Sequence, residues 1–181
     1  MAPVACAMPF FHQALEAETA GRWPEALAAY EQSNAAGENQ FDAYLNLAYL
    51  YWDISYDYGM ETHFLQSTKL PHTAVADFDD RWRRVLAEAI ARFPDEPEPY
   101  FWRGYFTQES AYDDRPDPFL LAMPERWPRF DLAYLYRYRH GLRGEPERAA
   151  LPRLRLAFPA GQTLKMSCVE NMLYFIERFG M

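Results

Sequence analysis

Between Gln40 and Gly59 the chain carries Tyr44, Leu47, Ala48, Tyr51, Ile54 and Tyr58, apolar side chains three or four residues apart. An α-helix gathers such positions on one face, and that face must then be buried against a neighbour. The same period returns at Phe10, Ala14 and Ala17 (with Phe11 and Leu15 beside them), and again at Ala26, Leu27 and Tyr30. It recurs over Val85, Leu86, Ala89, Ile90 and Phe93, and over Val169, Met172, Leu173, Phe175 and Ile176. Gly21, Gly37 and Gly59 read as helix stops, and Pro24 suits a first turn, where its missing N–H costs nothing. This punctuation predicts helices over 10–20, 24–37, 40–58, 77–93, 98–110, 130–140, 146–158 and 164–179, with Pro152 kinking or shortening the seventh. Tyr134, Tyr136 and Tyr138 alternate with period two, but their helix-forming neighbours favour helix over a short strand. Residues 59–76 and 111–128 hold no strong period and read as irregular insertions. The expected fold is all-α, about seven or eight helices in one domain over 1–181.

Composition narrows the classes of function. Half of the 181 residues are hydrophobic, and 13 Tyr, 13 Phe and 5 Trp supply ample core, so disorder is excluded. The net charge of -8 argues against nucleic acid, whose affinity comes from Lys and Arg neutralising phosphates, and against an anionic membrane surface. No apolar stretch approaches the roughly 20 residues that span a bilayer. Residues Met1 to Phe11 lack a basic n-region, and the first positive side chain is Arg22, so a cytoplasmic protein is expected. Cys6 and Cys168 lie near opposite ends and form no metal-type or redox pair. Free thiols are the expected state, with a single disulfide the alternative.

The segment Gly21-Arg-Trp-Pro-Glu-Ala-Leu-Ala-Ala-Tyr30 resembles the second-helix signature of a tetratricopeptide repeat, with Gly21 at the turn, Ala26 at the crossing and Tyr30 as the large packing residue. The family period of about 34 residues leads from Phe10 to Tyr44, and Tyr44, Leu47, Ala48 and Tyr51 follow the family spacing. Leu86, Ala89 and Pro94, then Tyr100 and Gly104, resemble a second match, and Gly144, Ala149 and Leu156 a weaker echo. The chain departs from the pattern at Gln13, Trp82 and Arg103, where Leu, a small residue and Leu are usual. The resemblance covers 9–58 and 81–108, with further helices over 129–181. It implies antiparallel helix hairpins stacked into a short solenoid or compact bundle.

Catalytic signatures are sparse. His12, His63, His72 and His140 share no metal-site spacing, and no Gly-rich phosphate loop occurs. Asp77-Phe-Asp-Asp80 has the letters of an acid motif found in some terpene cyclases, yet helix capping accounts for these carboxylates more simply. Asp113, Asp114 and Asp117 read as solvated loop residues. No nucleophile has an evident base. The expectation is a chain without catalytic residues, metal or cofactor.

Binding features are richer. The resemblance implies that the first helix of each repeat lines a groove. Carried over residue by residue, it places Asp42, Leu45, Tyr49, Trp52 and Asp53 there, with Tyr56 alongside, and a second set of Glu98, Phe101, Tyr105, Gln108 and Glu109. Aromatic anchors ringed by charge are what interface hot spots use. The alternative is that the insertions fold back and bury those aromatics. Charge is also segregated. Residues 38–80 hold eight acidic residues against Lys69, for -7, while 126–155 hold eight Arg against Asp131, Glu145 and Glu147, for +5. The two signs suit pairing within one molecule or between two copies as a homodimer. The expected partner is therefore a basic protein. An immunity protein covering a toxin's basic site is the specific expectation, by analogy of charge and size. An adaptor or secretion chaperone holding an extended peptide is the alternative, and an unrecognised enzyme the third.

Overall fold

The computed structural model describes residues 8–38, 40–112, 114–157 and 163–179. These form ten α-helices in the order α1 (Phe10–Thr19), α2 (Trp23–Ala36), α3 (Gln40–Tyr56), α4 (Tyr58–Thr68), α5 (Phe78–Arg92), α6 (Glu98–Ser110), α7 (Pro118–Arg126), α8 (Asp131–Arg139), α9 (Glu145–Ala157) and α10 (Leu164–Phe179). One 3-10 turn, His72–Val75, precedes α5, and no strand occurs among the described residues. The all-α expectation holds, with more helices than the spacing predicted. Contacts divide the chain into two compact units, Met1–Trp82 and Arg83–Met181, the boundary falling inside α5.

In the first unit α1 packs on α2, α2 on α3, and α3 on α4. Gly21 turns the chain between α1 and α2 with φ of 69°, a left-handed conformation that a side chain would strain. Ala14, Ala17 and Ala26 are buried, so small side chains occupy the interior of this hairpin. Every residue from Ala43 to Trp52 is buried, so this stretch of α3 is enclosed on all sides. That explains why it is apolar nearly all round and not on one stripe alone.

Two expected loops contain helices, and the same device starts both. Asp57 closes α3, and its carboxylate accepts from the backbone N–H groups of Gly59 at 2.7 Å and Met60 at 3.1 Å, starting α4. Asp117 does likewise for Phe119 at 2.7 Å and Leu120 at 3.2 Å, with Pro118 in the first turn of α7. An N-cap carboxylate satisfies donors that would otherwise be orphaned, and Pro at the first helical position costs none. Residues 59–76 and 111–128 are thus partly helical, because Gly59 and Pro118 sit at helix starts. Asp113 lies outside the described residues.

In the second unit α6 and α7 cross at Gly104, where an added Cβ would stand 2.8 Å from Leu120 Cδ2. Tyr136 is buried on α8, which is helical through the alternating tyrosines. Pro152 lies inside α9, which runs to Ala157. Ala149 and Leu156 are exposed, so the faint third echo of the repeat does not supply packing residues there. On α10, Val169, Met172, Leu173 and Ile176 are buried while Phe175 is 46% exposed. The buried four follow the i, i+3, i+4, i+7 pattern of one face, from which Phe175 is turned away.

Candidate functional site

The second set of expected groove residues is bound up within its own unit. Phe101 is fully buried, and its ring stacks on Tyr105 with centroids 6.0 Å apart. Glu98 accepts at 3.0 Å both from the Trp102 indole N–H and from Lys165 Nζ, a buried ammonium on α10. Arg139 donates to the Tyr105 hydroxyl at 3.2 Å and to Glu109 at 2.9 Å. Gln108 donates to the Arg115 carbonyl at 3.1 Å and accepts from the Tyr136 hydroxyl. Phe101 and Tyr105 are buried while Glu98, Gln108 and Glu109 stay partly exposed, so the open aromatic groove expected at Phe101 and Tyr105 is not there.

The first set divides. Leu45, Tyr49 and Trp52 are buried, which corrects the expectation that they stand open. Tyr49 meets Trp52 edge-on with ring centroids 5.4 Å apart, and Trp52 stacks on the half-buried Tyr56 at 4.9 Å. Aromatic side chains bury 150–250 Å² each, a gain that closes such a groove when helices are there to cover it. Asp42 and Asp53 remain partly exposed.

The first unit also holds a polar interior that the helical spacing does not single out. Glu18, on the last turn of α1, is only 5% exposed. It accepts a 2.5 Å hydrogen bond from the Tyr30 hydroxyl on α2, and that oxygen in turn accepts at 3.1 Å from Asn46 Nδ2 on α3. Burial and the Glu18 charge push the Tyr30 phenol well above its usual range, so it remains the donor. Asn46 Oδ1 is buried and has no hydrogen-bond partner among the described residues. Turning the amide over would not help. The Tyr30 hydroxyl spends its proton on Glu18 and can only accept, so the amide must present its NH₂ group there.

Asp53 stands seven residues beyond Asn46, on the same face of α3 and about 10.5 Å along its axis. Burial raises its carboxyl to about 7, and the charges of Asp57 and Glu18 act in the same direction. The other acids of the 38–80 segment are mostly engaged locally. Glu38 accepts from the Phe11 N–H at 3.1 Å, Glu61 lies 3.0 Å from His72, and Asp77 pairs with Arg81 at 2.8 Å. Asp79 accepts from the buried Trp82 indole at 2.8 Å, so Asp77 and Asp79 each engage a side chain of α5. Asp42, Asp53 and Asp80 form no ion pair among the described residues.

Among the described residues no three His, Cys, Asp or Glu side chains are grouped to hold a metal ion, and no helix is long and apolar enough to cross a membrane. Cys168 is half-buried, and Cys6 lies outside the described residues. Glu18 and Asn46 were readable in principle: Glu18 follows Ala14 by one turn inside an apolar stripe, and Asn46 is the one polar residue between Ala43 and Trp52. No protein-family model, curated protein or solved structure matches the chain.

Proposed function

We propose that the chain is a non-enzymatic, tetratricopeptide-like protein whose first unit presents acidic side chains to a basic protein. The specific form we favour is an immunity protein, acting in the cytoplasm to occlude the basic surface of a cognate secreted toxin. One observation carries this reading: Asp42 and Asp80 have no cationic partner among the described residues. Unpaired carboxylates of one sign attract a basic partner, speed its approach and discriminate against acidic competitors.

The burial of Trp52 and Phe101 argues against a chaperone that would hold a peptide through those two rings. An acid–base enzyme draws support from one observation, the field of Glu18 on the raised Asp53 carboxyl. Glu18 is nevertheless hydrogen-bonded and nearly inaccessible, which favours a binding role.

The test begins with capture of partners from a lysate of the native organism, followed by binding of the purified partner across a salt series. A basic protein whose association slows steeply as salt rises supports the reading. Salt-insensitive binding, or an acidic partner, contradicts it.

A further inference from the structure

The second unit carries a surface of a different kind, built from rings and arginines. Tyr100 on α6 has its ring centroid 5.3 Å from that of Trp127 and 6.4 Å from that of Phe119 on α7. Two backbone carbonyls hold the polar tips of this cluster. The Tyr100 hydroxyl donates to Pro94 at 3.1 Å, and the Trp127 indole donates to Asp95 at 3.0 Å. Both rings are thus tied to the connection between α5 and α6, so a ligand need not order them. Phe119 is nevertheless 45% exposed. A large apolar ring left open beside others already held in place is the kind of anchor that interfaces use.

Charge says what would cover it. The Arg103 guanidinium carbon lies over the Tyr100 ring, 5.9 Å from its centre. That of Arg126 lies 5.7 Å from the same centre and 4.3 Å from the centre of the Trp127 ring. Both arginines are exposed, and neither forms an ion pair among the described residues. A ring face attracts the cation but offers no lone pair in the guanidinium plane, where a carboxylate can accept two N–H groups side by side. Neighbouring acids narrow the class of partner. Asp95 and Glu96 precede α6, Glu125 is next to Arg126 in sequence, and all three are exposed. They repel a continuous run of phosphates, as does the net charge of -8. A protein segment carries its carboxylates singly among apolar side chains, and can set each against its own complement. We infer that Tyr100, Arg103, Phe119, Arg126 and Trp127 form a docking surface for an acidic segment of a partner protein. That segment sets a carboxylate against the guanidiniums and a large apolar side chain against Phe119. The surface lies within the second unit and does not depend on the reading of the first unit's acids.

The probe is the peptide N-acetyl-Leu-Glu-Glu-Leu-amide, titrated into the isotope-labelled full chain. NMR follows the Trp127 indole N–H and the Arg103 and Arg126 Nε–H groups. The comparison arms are the peptide with Gln for both Glu, the peptide with Ala for both Leu, inorganic phosphate, and single-stranded oligothymidylate. With peptide at about 10 mM, a level suited to the weak affinity of so small a ligand, shifts at all three groups should saturate. The Gln peptide should bind at least tenfold more weakly and the Ala peptide at least threefold. A chain carrying Arg103→Gln and Arg126→Gln, both at exposed positions, should lose at least tenfold in affinity for the unaltered peptide. Phe119→Ala should bind the Leu and Ala peptides alike. Equal binding of the Gln peptide, an unaffected double variant, or equal binding of the Ala peptide by the unaltered chain overturns the surface. Phosphate matching the peptide would show a plain anion site, and oligothymidylate exceeding it a nucleic-acid surface; either overturns a protein partner. Signals that move with chain concentration before any probe is added, and cease to do so in the double variant, would make a second copy the occupant and overturn it too.

Discussion

The Tyr30 hydroxyl on α2 donates to the Glu18 carboxylate on α1, inside a hairpin whose other contacts are largely apolar. A hydrogen bond to a charged, buried acceptor is worth more than an ordinary one, and its loss leaves a carboxylate short of a donor. Tyr30→Phe should therefore lower stability by about 2–3 kcal/mol, read from urea unfolding. In a Glu18→Gln background the same change should cost markedly less. Equal costs in both backgrounds would show that the two groups are not coupled.

Asp53 supplies a pH signature. Its carboxyl protonates near 7 in the folded chain against an ordinary value of 3.8, because burial and the Asp57 and Glu18 charges oppose its ionisation. The folded state thus holds more protons than the unfolded one between those values, so this group's contribution to stability falls as pH rises from about 4 to 7. Above that range the full cost of the ionised carboxylate is present. Asp53→Asn should remove the decline and stabilise the chain by about 1–2 kcal/mol near pH 8. Thermal unfolding across the pH series checks this, and a variant that tracks the unaltered chain would contradict it.

Trp52 separates packing from recognition. Its side chain is 4% exposed, against Tyr49 and Tyr56. Trp52→Ala should cost about 3–5 kcal/mol of stability while leaving partner affinity per folded molecule nearly unchanged. Binding lost in a variant that remains fully folded would restore the aromatic groove to the account.

Helices were legible where the apolar residues kept one helical period, as in α2 and α10, and the expected bounds of α10 match those observed. They were illegible where a single residue had two meanings. Gly59 looked like a stop, yet it is the second residue of a helix capped by Asp57. Pro118 looked like a breaker and is a first-turn residue behind Asp117. Gly104, matched with Tyr100 to the start of a repeat, has Leu120 against it where α6 and α7 cross. The site was harder to read. Spacing puts Asp53 and Trp52 on α3, but exposure depends on which helices cover them. A carboxylate's state depends on neighbours distant in sequence: Glu18 lies 35 positions from Asp53 and still acts on it.

The most direct measurement compares captures with the unaltered chain and with a chain carrying Asp42→Lys and Asp80→Lys, two changes at residues without ion-pair partners among those described. Bound proteins are quantified by mass spectrometry at low and at physiological salt. A basic protein should be recovered by the unaltered chain and lost at least tenfold by the charge-reversed one, most clearly at physiological salt. Equal recovery of the same partner by both chains would contradict an acidic recognition surface on the first unit.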